Sequence, residues 1–299
     1  MKNNVAVLLS YYNGGNYIEE QLTSLNEQVG VSCDVYIRDD GSSNNNDIDK
    51  LTDLCDKYHN VKIIKGKNVG VVGSFYSLLK IVDHYEYYFF CDQDDYWYEN
   101  KITNAVARLK NHSDAALYCS SYDLVDDKLD SLGSASPKPT ASFYNAIFKN
   151  FCTGCTCAIN NKLRHELLND YYNEDIPMHD WWFLLVAYIK GSVIYDELPS
   201  IKYRQHALNV VGGTDSVAYK AKRFVTHLTK NNDVRSRMMR DLVKSSHGVT
   251  SEYVNEIKKI LNSQNSFALR LKIIKAHKFS YTSKLDLLSI YLIILLGKY

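Results

Sequence analysis

Short apolar runs that end in polar turns, each followed by apolar residues at helical spacing, organise the front of the chain. The run 5–10 precedes Tyr17, Ile18, Leu22 and Leu25, and the run 34–38 precedes Ile48, Leu51, Leu54, Cys55 and Tyr58. The alternation returns twice: Val61–Lys65 leads to Phe75, Leu78, Leu79 and Val82, and Tyr87–Cys91 leads to Ile102, Ala105, Val106 and Leu109. A buried strand shows a short continuous run and a helix an apolar stripe of period 3.6, so each unit predicts strand, turn, helix. Parallel neighbours need a crossover, and helices supply it; four such units predict an α/β fold with a doubly wound, mostly parallel sheet.

Beyond residue 112 the pattern predicts shorter strands over 115–122 and 143–157, a helix near 182–189, and strands near 192–195 and 201–204. From about residue 215 apolar residues recur at helical spacing through Leu228, Met238, Leu242, Val254, Ile257 and Leu261, with basic residues between them. This predicts a C-terminal helical region, 215–299, behind a domain 1–214 whose two halves meet near residue 112.

Composition changes this picture in three places. At 45% apolar and 23% charged, the chain is neither collagen-like nor a disulfide scaffold nor wholly disordered. The net charge of +1 hides a division, because residues 216–299 hold 16 Lys/Arg against 5 Asp/Glu, leaving −10 on the first 215 residues. An acidic front suits a bound cation, and a basic tail suits an anionic surface. Seven cysteines, an odd number, and an N-terminus without a long apolar run predict a reduced, cytoplasmic setting. Cys152, Cys155 and Cys157 lack a second ligand cluster at zinc spacing and read as core. The apolar stretch between Asp286 and Lys298 falls short of the ~20 residues that span a bilayer.

In doubly wound sheets ligands bind at the carboxyl ends of strands, so the residues there are the candidates. Asp92, Gln93, Asp94 and Asp95 follow the fourth strand: hard oxygen ligands suited to Mg²⁺ or Mn²⁺ with a diphosphate, or else an acidic turn capping a helix. Asp39 and Asp40, before Gly41 and Ser42, offer acceptors for a base N–H or a ribose hydroxyl, or form an Asp-Gly turn. Asp180, beside His179, Trp181 and Trp182, is either a desolvated general base or a helix cap. Arg204 and His206 bring a guanidinium and an imidazole to a later strand end, Arg suiting phosphate oxygens and His a metal or a phosphate.

Together these segments resemble the ordered motif series of family 2 glycosyltransferases, most closely the bacterial rhamnosyltransferase-like branch of surface-polysaccharide assembly. The resemblance rests on Ser10-Tyr11-Tyr12-Asn13-Gly14-Gly15-Asn16-Tyr17-Ile18, Arg38-Asp39-Asp40-Gly41-Ser42, Asn68-Val69-Gly70 with Ser74-Phe75, Cys91-Asp92-Gln93-Asp94-Asp95-Tyr96-Trp97, His179-Asp180-Trp181-Trp182 and Tyr203-Arg204-Gln205-His206. It implies a GT-A, Rossmann-like catalytic domain over 1–214, with 1–112 as nucleotide-binding half and 113–214 as acceptor and catalytic half. It implies inverting transfer from a nucleotide diphosphate sugar, dTDP-rhamnose or a UDP-hexose or UDP-N-acetylhexosamine, to a cell-surface glycan or a lipid-linked precursor.

Carried over by position, Tyr11, Tyr12 and Asp40 would hold the nucleotide base, Asp92 would meet ribose, diphosphate and metal, and Asp94 would be the principal metal ligand. Asp180 would be the catalytic base, and Arg204 and His206 would grip the leaving diphosphate. Asp39, Asn68, Asp95, Trp97, His179 and Trp181 stand beside them as further candidates. Many relatives carry Glu where His179 stands. The Gln-x-x-Arg-Trp motif of processive synthases is missing, which implies one sugar per acceptor.

Two rival readings remain at this level: a sugar-nucleotide nucleotidyltransferase, disfavoured because the loop 11–17 has no Lys or Arg, and an inactive glycan-binding or scaffold subunit. No nucleic-acid reader motif accompanies the basic tail. Lys272, Lys275, Lys278 and Lys284 before the apolar stretch 287–296 predict peripheral contact with anionic lipid at the inner face of the cell membrane. The competing reading packs these helices on the catalytic domain or against a second copy, a homo-oligomer.

Overall fold

A computed structural model describes residues 4–133, 141–169, 176–206, 233–246, 248–249, 251–276, 279–280 and 284–299. The chain divides into two compact units, one made of Met1–Ser136 and Cys152–Gln205, the other of Pro137–Phe151 and His206–Tyr299. The expected junction at 214/215 lies outside the described residues, as does Leu228. Residues 137–151, expected in the catalytic half, group with the second unit.

The first unit is built on an eight-stranded mixed sheet. Its elements are β1 (Val5–Tyr11), α1 (Ile18–Asn26), β2 (Cys33–Asp39), α2 (Asn45–Asp56), β3 (Val61–Lys65), α3 (Gly70–Ile81), β4 (Tyr87–Cys91), β5 (Tyr96–Trp97), α4 (Lys101–Leu109) and β6 (Ala115–Val125). After α5 (Phe143–Phe148), which belongs to the second unit, come a 3₁₀ turn (Gly154–Thr156), β7 (Ala158–Asn160), α6 (Asn161–Asn169), α7 (His179–Lys190) and β8 (Gly191–Arg204).

The sheet order is β3-β2-β1-β4-β7-β6-β8-β5. The four predicted strands pair parallel, and β7 then runs antiparallel to both β4 and β6. β1 lies between two partners and is apolar from Val5 to Leu9, as a strand covered on both faces must be. Its register sets the site: Tyr11 pairs with Asp39 and Leu9 with Cys91, so the loops after β1, β2 and β4 leave the sheet side by side.

Two sequence expectations change. The segment 143–157 is not a strand: Ser142 accepts the Asn145 backbone N–H at 3.3 Å and caps α5, and only Ala158–Asn160 joins the sheet. A short apolar run such as Phe143–Phe148 suits either state, and here the cap decides. The strands expected at 192–195 and 201–204 are the ends of one strand, β8, which stays paired with β6 through two register shifts, Pro199 opposing Ser121 between them.

The second unit holds α5 with α8 (Val234–Ser245), α9 (Glu252–Ser263), α10 (Phe267–Lys275) and α11 (Lys284–Leu296). Its core joins Phe148, Leu242, Ile257, Ile294 and Tyr299, and the Tyr299 hydroxyl donates to the Ile260 carbonyl at 3.1 Å. Among the described residues, no helix is long and apolar enough to cross a membrane.

Candidate active site

The site begins where β1 and β2 end. The Asp40 backbone N–H donates to the Tyr11 carbonyl at 2.8 Å, locking the two loops together. Asp40 is buried; its Oδ1 pairs with Arg38 and accepts the Val69 N–H at 3.0 Å, while no donor among the described residues meets its Oδ2. Asp39 closes its own turn, its Oδ1 accepting the Ser42 N–H at 2.9 Å. Asn68 is exposed and accepts from the Gly70 N–H at 3.2 Å.

Tyr11 and Tyr12, expected to act together, part ways. The Tyr11 ring is fully buried and its hydroxyl donates to the Asp47 carbonyl at 3.0 Å, with burial and the Asp47 charge raising its pKa. Tyr12 leaves its ring 47% exposed. The side-chain alternation of a strand explains the difference, since successive residues at a strand end point to opposite sides.

At the end of β4, Asp92 and Asp94 are half-buried and Asp95 is only 1% exposed. One ligand atom each from Asp92, Asp95 and Cys155 lie within 4.8 Å of one another, so the geometry groups Asp95 with Asp92, while Asp94, expected as the principal metal ligand, stands outside this cluster. Burial, then the charges of Asp94, Asp95 and Asp180, hold the Asp92 carboxyl well above the usual carboxylate range. Asp95 is pushed up to about 7 by burial and by Asp94, against hydrogen bonds from Cys155 and the Arg204 backbone.

This donor set fits a divalent cation. Asp95 Oδ2 is buried with no hydrogen-bond partner among the described residues, and crowded carboxylates are relieved by positive charge. Oxygen donors select Mg²⁺ or Mn²⁺. Cys155 is a poor ligand for such an ion, because its soft sulfur does not match a hard cation; burial, then the charges of Asp95 and Asp92, raise its thiol pKa well above the ordinary value.

Lys101, the first residue of α4, was not singled out in the sequence, where a lone Lys reads as surface. It is 1% exposed, donates to the Cys155 carbonyl, and stands 3.9 Å from the centre of the Trp97 ring. Burial lowers its pKa, while Cys155, Cys91 and Asp95 favour its charge. Trp97 is thus a buried wall behind the acidic loop.

Asp180 lies in the first turn of α7, 3% exposed, and its charge reaches Asp92. Its Oδ1 accepts the Trp181 N–H at 2.6 Å, while the N-cap position itself is Met178. Gly154 makes room for this turn: a Cβ there would stand 2.7 Å from His179 Nε2 and 3.7 Å from Asp180 Cβ. Trp182 is core and Trp181 half-buried. His179 sits among Phe75, Phe90 and Phe183, with ring centres 4.4, 5.9 and 5.6 Å away. Neither ring nitrogen has a hydrogen-bond partner among the described residues, and burial pushes its pKa down to about 3, so the imidazole is neutral.

Arg204 is fully buried behind the acidic loop. Its Nε donates to the Asp94 carbonyl at 2.9 Å, Nη1 to the Asp127 carbonyl and Nη2 to Glu20, and its backbone N–H reaches Asp95 Oδ1 at 3.2 Å. His206 is half-buried and opens the second segment of the other unit.

The chain is 30% identical over 252 residues to the dTDP-rhamnosyl transferase RfbG of Shigella flexneri, an alignment covering 77% of this chain and 82% of the relative. Its fold matches the crystal structure of S. aureus TarS 1-349 in complex with UDP-GlcNAc with a TM-score of 0.62 at 18% identity, over 98% of this chain and 79% of the other. A mannosyltransferase from Pyrobaculum calidifontis, solved with GDP-Man and Mn²⁺, matches with a TM-score of 0.52 at 13% identity, over 100% of this chain and 86% of that one. These neighbours identify the sheet as the GT-A fold. The family model for glycosyl transferase family 2 matches residues 6–168, over half of the chain, and with the likeness to RfbG it places this chain in that family.

Proposed function

We propose that the first unit transfers one sugar, with inversion, from a nucleotide diphosphate sugar to a hydroxyl of a cell-surface glycan or its lipid-linked precursor. The observation that carries this reading is the buried carboxylate Asp180, which stands on α7 and not in the loop 92–95, yet near enough for its charge to reach Asp92. Inversion needs a base on the face of the sugar opposite the leaving group. Asp180 takes the proton of the acceptor hydroxyl as that oxygen bonds to the anomeric carbon, and the electron pair of the breaking C–O bond leaves with the nucleoside diphosphate.

The other residues hold the donor. Tyr12 offers its exposed ring to the base, Asp40 Oδ2 accepts a base N–H, and Asp92 meets ribose and diphosphate. Tyr11 supports them from the core, and Arg204 holds the acidic loop in shape from behind. Asp92 and Asp94, with Asp95, would hold Mn²⁺ or Mg²⁺, which supplies neutralisation of the charge developing on the departing diphosphate. The likeness to RfbG favours dTDP-rhamnose as donor, ahead of UDP-hexoses and UDP-N-acetylhexosamines.

Asp180→Asn tests the mechanism. It should bind nucleoside diphosphate as wild type does while transfer falls about 10²–10⁴-fold. Near-wild-type kcat in this variant would remove Asp180 from the role.

The enzyme is further proposed to work at the cytoplasmic face of the membrane. On α10 no residue is buried, and Phe267 (58% exposed) and Leu269 lie on the same helix as exposed Lys272 and Lys275. Apolar groups beside lysines suit an anionic lipid surface. The stretch 287–296 contributes less than its composition suggests, because Ile290, Ile293 and Ile294 are buried.

A further inference from the structure

Gln93, between Asp92 and Asp94, reaches across the sheet end to the loop after β1. Its Oε1 accepts the Tyr12 backbone N–H at 2.8 Å and its Nε2 donates to the Tyr12 carbonyl at 3.2 Å. One planar amide therefore satisfies both polar backbone groups of the residue whose ring is exposed. The amide presents its donor and its acceptor side by side on one planar group; a carboxylate would lose one bond and an aliphatic side chain both. Gly14 makes the approach feasible, since a Cβ at that position would fall within the Gln93 amide.

The far side of the same loop is pinned independently. The Asn13 N–H donates to Ser42 Oγ at 2.9 Å, and Asn13 Oδ1 accepts the backbone N–H groups of Ser43 at 2.9 Å and Asn44 at 3.2 Å. Tyr12 is thus held between the loop after β2 and the acidic loop after β4, while its ring packs on neither closely enough to be buried. A ring kept exposed on a backbone fixed from both sides is preorganised to stack on a flat ligand.

We propose that Gln93 is a positioning residue for the donor nucleoside: by clasping both backbone groups of Tyr12 it fixes that ring as the stacking platform for the base, and ties the platform to the loop that carries Asp92 and Asp94. This rests on reading the first unit as a nucleotide-sugar enzyme.

The test measures equilibrium binding of dTDP and of UDP, with Mn²⁺ present, to the full-length wild type, Gln93→Leu, Tyr12→Ala and the double variant, together with KM and kcat for the donor. Gln93→Leu comes close to the side-chain volume at a half-buried position, and its fold is checked by thermal melting. Loss of two backbone hydrogen bonds should weaken nucleoside diphosphate binding about tenfold. KM should rise to match, while kcat at saturating donor falls far less. Adding Gln93→Leu to Tyr12→Ala should cost little more, because the two act through one ring. Gly14→Ala, which displaces the Gln93 amide, should weaken binding in the same way. Binding by Gln93→Leu equal to wild type, or full additivity with Tyr12→Ala, overturns the proposal. Wild-type protein that binds neither nucleoside diphosphate overturns the nucleotide-sugar reading itself, a result visible before any variant is compared.

Discussion

At the scale of single residues, the site mixes groups that face a ligand with groups that shape the wall behind them, and residue type alone did not separate the two. Tyr11 and Tyr12 are identical in chemistry, yet one hydroxyl is spent on the Asp47 carbonyl and the other ring is exposed. Arg204, expected at the leaving diphosphate, is fully buried with its guanidinium on the Asp94 and Asp127 carbonyls and on Glu20. His179 is the clearest case of a polar side chain placed in an apolar cage. Its pKa falls from 6.5 to about 3 on folding through burial alone, so the unfolded chain binds a proton between those values that the folded chain refuses. Its contribution to stability is whole above pH 6.5 and is lost as pH falls toward 3. We expect a slope of up to about 1.4 kcal/mol per pH unit, or about 2–3 kcal/mol between pH 6.5 and 4.5, to disappear in His179→Leu. Urea titrations of both proteins at several pH values measure it; identical pH dependence would mean that the folded protein protonates this ring.

At the scale of elements, the first four strand–helix units were legible because each pairs a short apolar run with an apolar stripe at helical spacing and a recognisable turn between them. Legibility failed where tertiary pairing rather than local pattern decides. β5 is two residues long and exists because Tyr96 and Trp97 pair with β8. The same limit hid Lys101, whose burial depends on a carbonyl far away in sequence: Cys155 lies 54 positions from it. Lys101 opens α4, where a cation opposes the helix dipole, so its placement is offset by contacts rather than by propensity. Lys101→Met should leave the Cys155 carbonyl without its donor and cost about 1–3 kcal/mol of stability in a denaturant titration. An unchanged midpoint would show that the ammonium contributes no net stability there.

At the scale of the whole molecule, the division of charge legible in the sequence follows the division into units only approximately, since residues 137–151 group with the basic helices. The buried core of the second unit, which includes Ile294 and Tyr299, argues against testing membrane contact by truncating the C-terminal helices. Surface substitutions are cleaner. Phe267→Ser with Lys272→Glu and Lys275→Glu should reduce co-sedimentation with anionic vesicles, with lysine contributions of about 1 kcal/mol each. Wild-type protein that ignores such vesicles at low salt would end the membrane reading.

The central claim, that this family 2 chain spends a nucleotide sugar, is tested most directly by incubating the wild-type protein with dTDP-rhamnose, UDP-hexoses and UDP-N-acetylhexosamines in Mn²⁺ or Mg²⁺ and measuring nucleoside diphosphate release. The account predicts turnover of one donor, dTDP-rhamnose first, and its loss in excess chelator. Release from no donor, with conversion of a sugar phosphate and a nucleoside triphosphate into a sugar nucleotide instead, would contradict it.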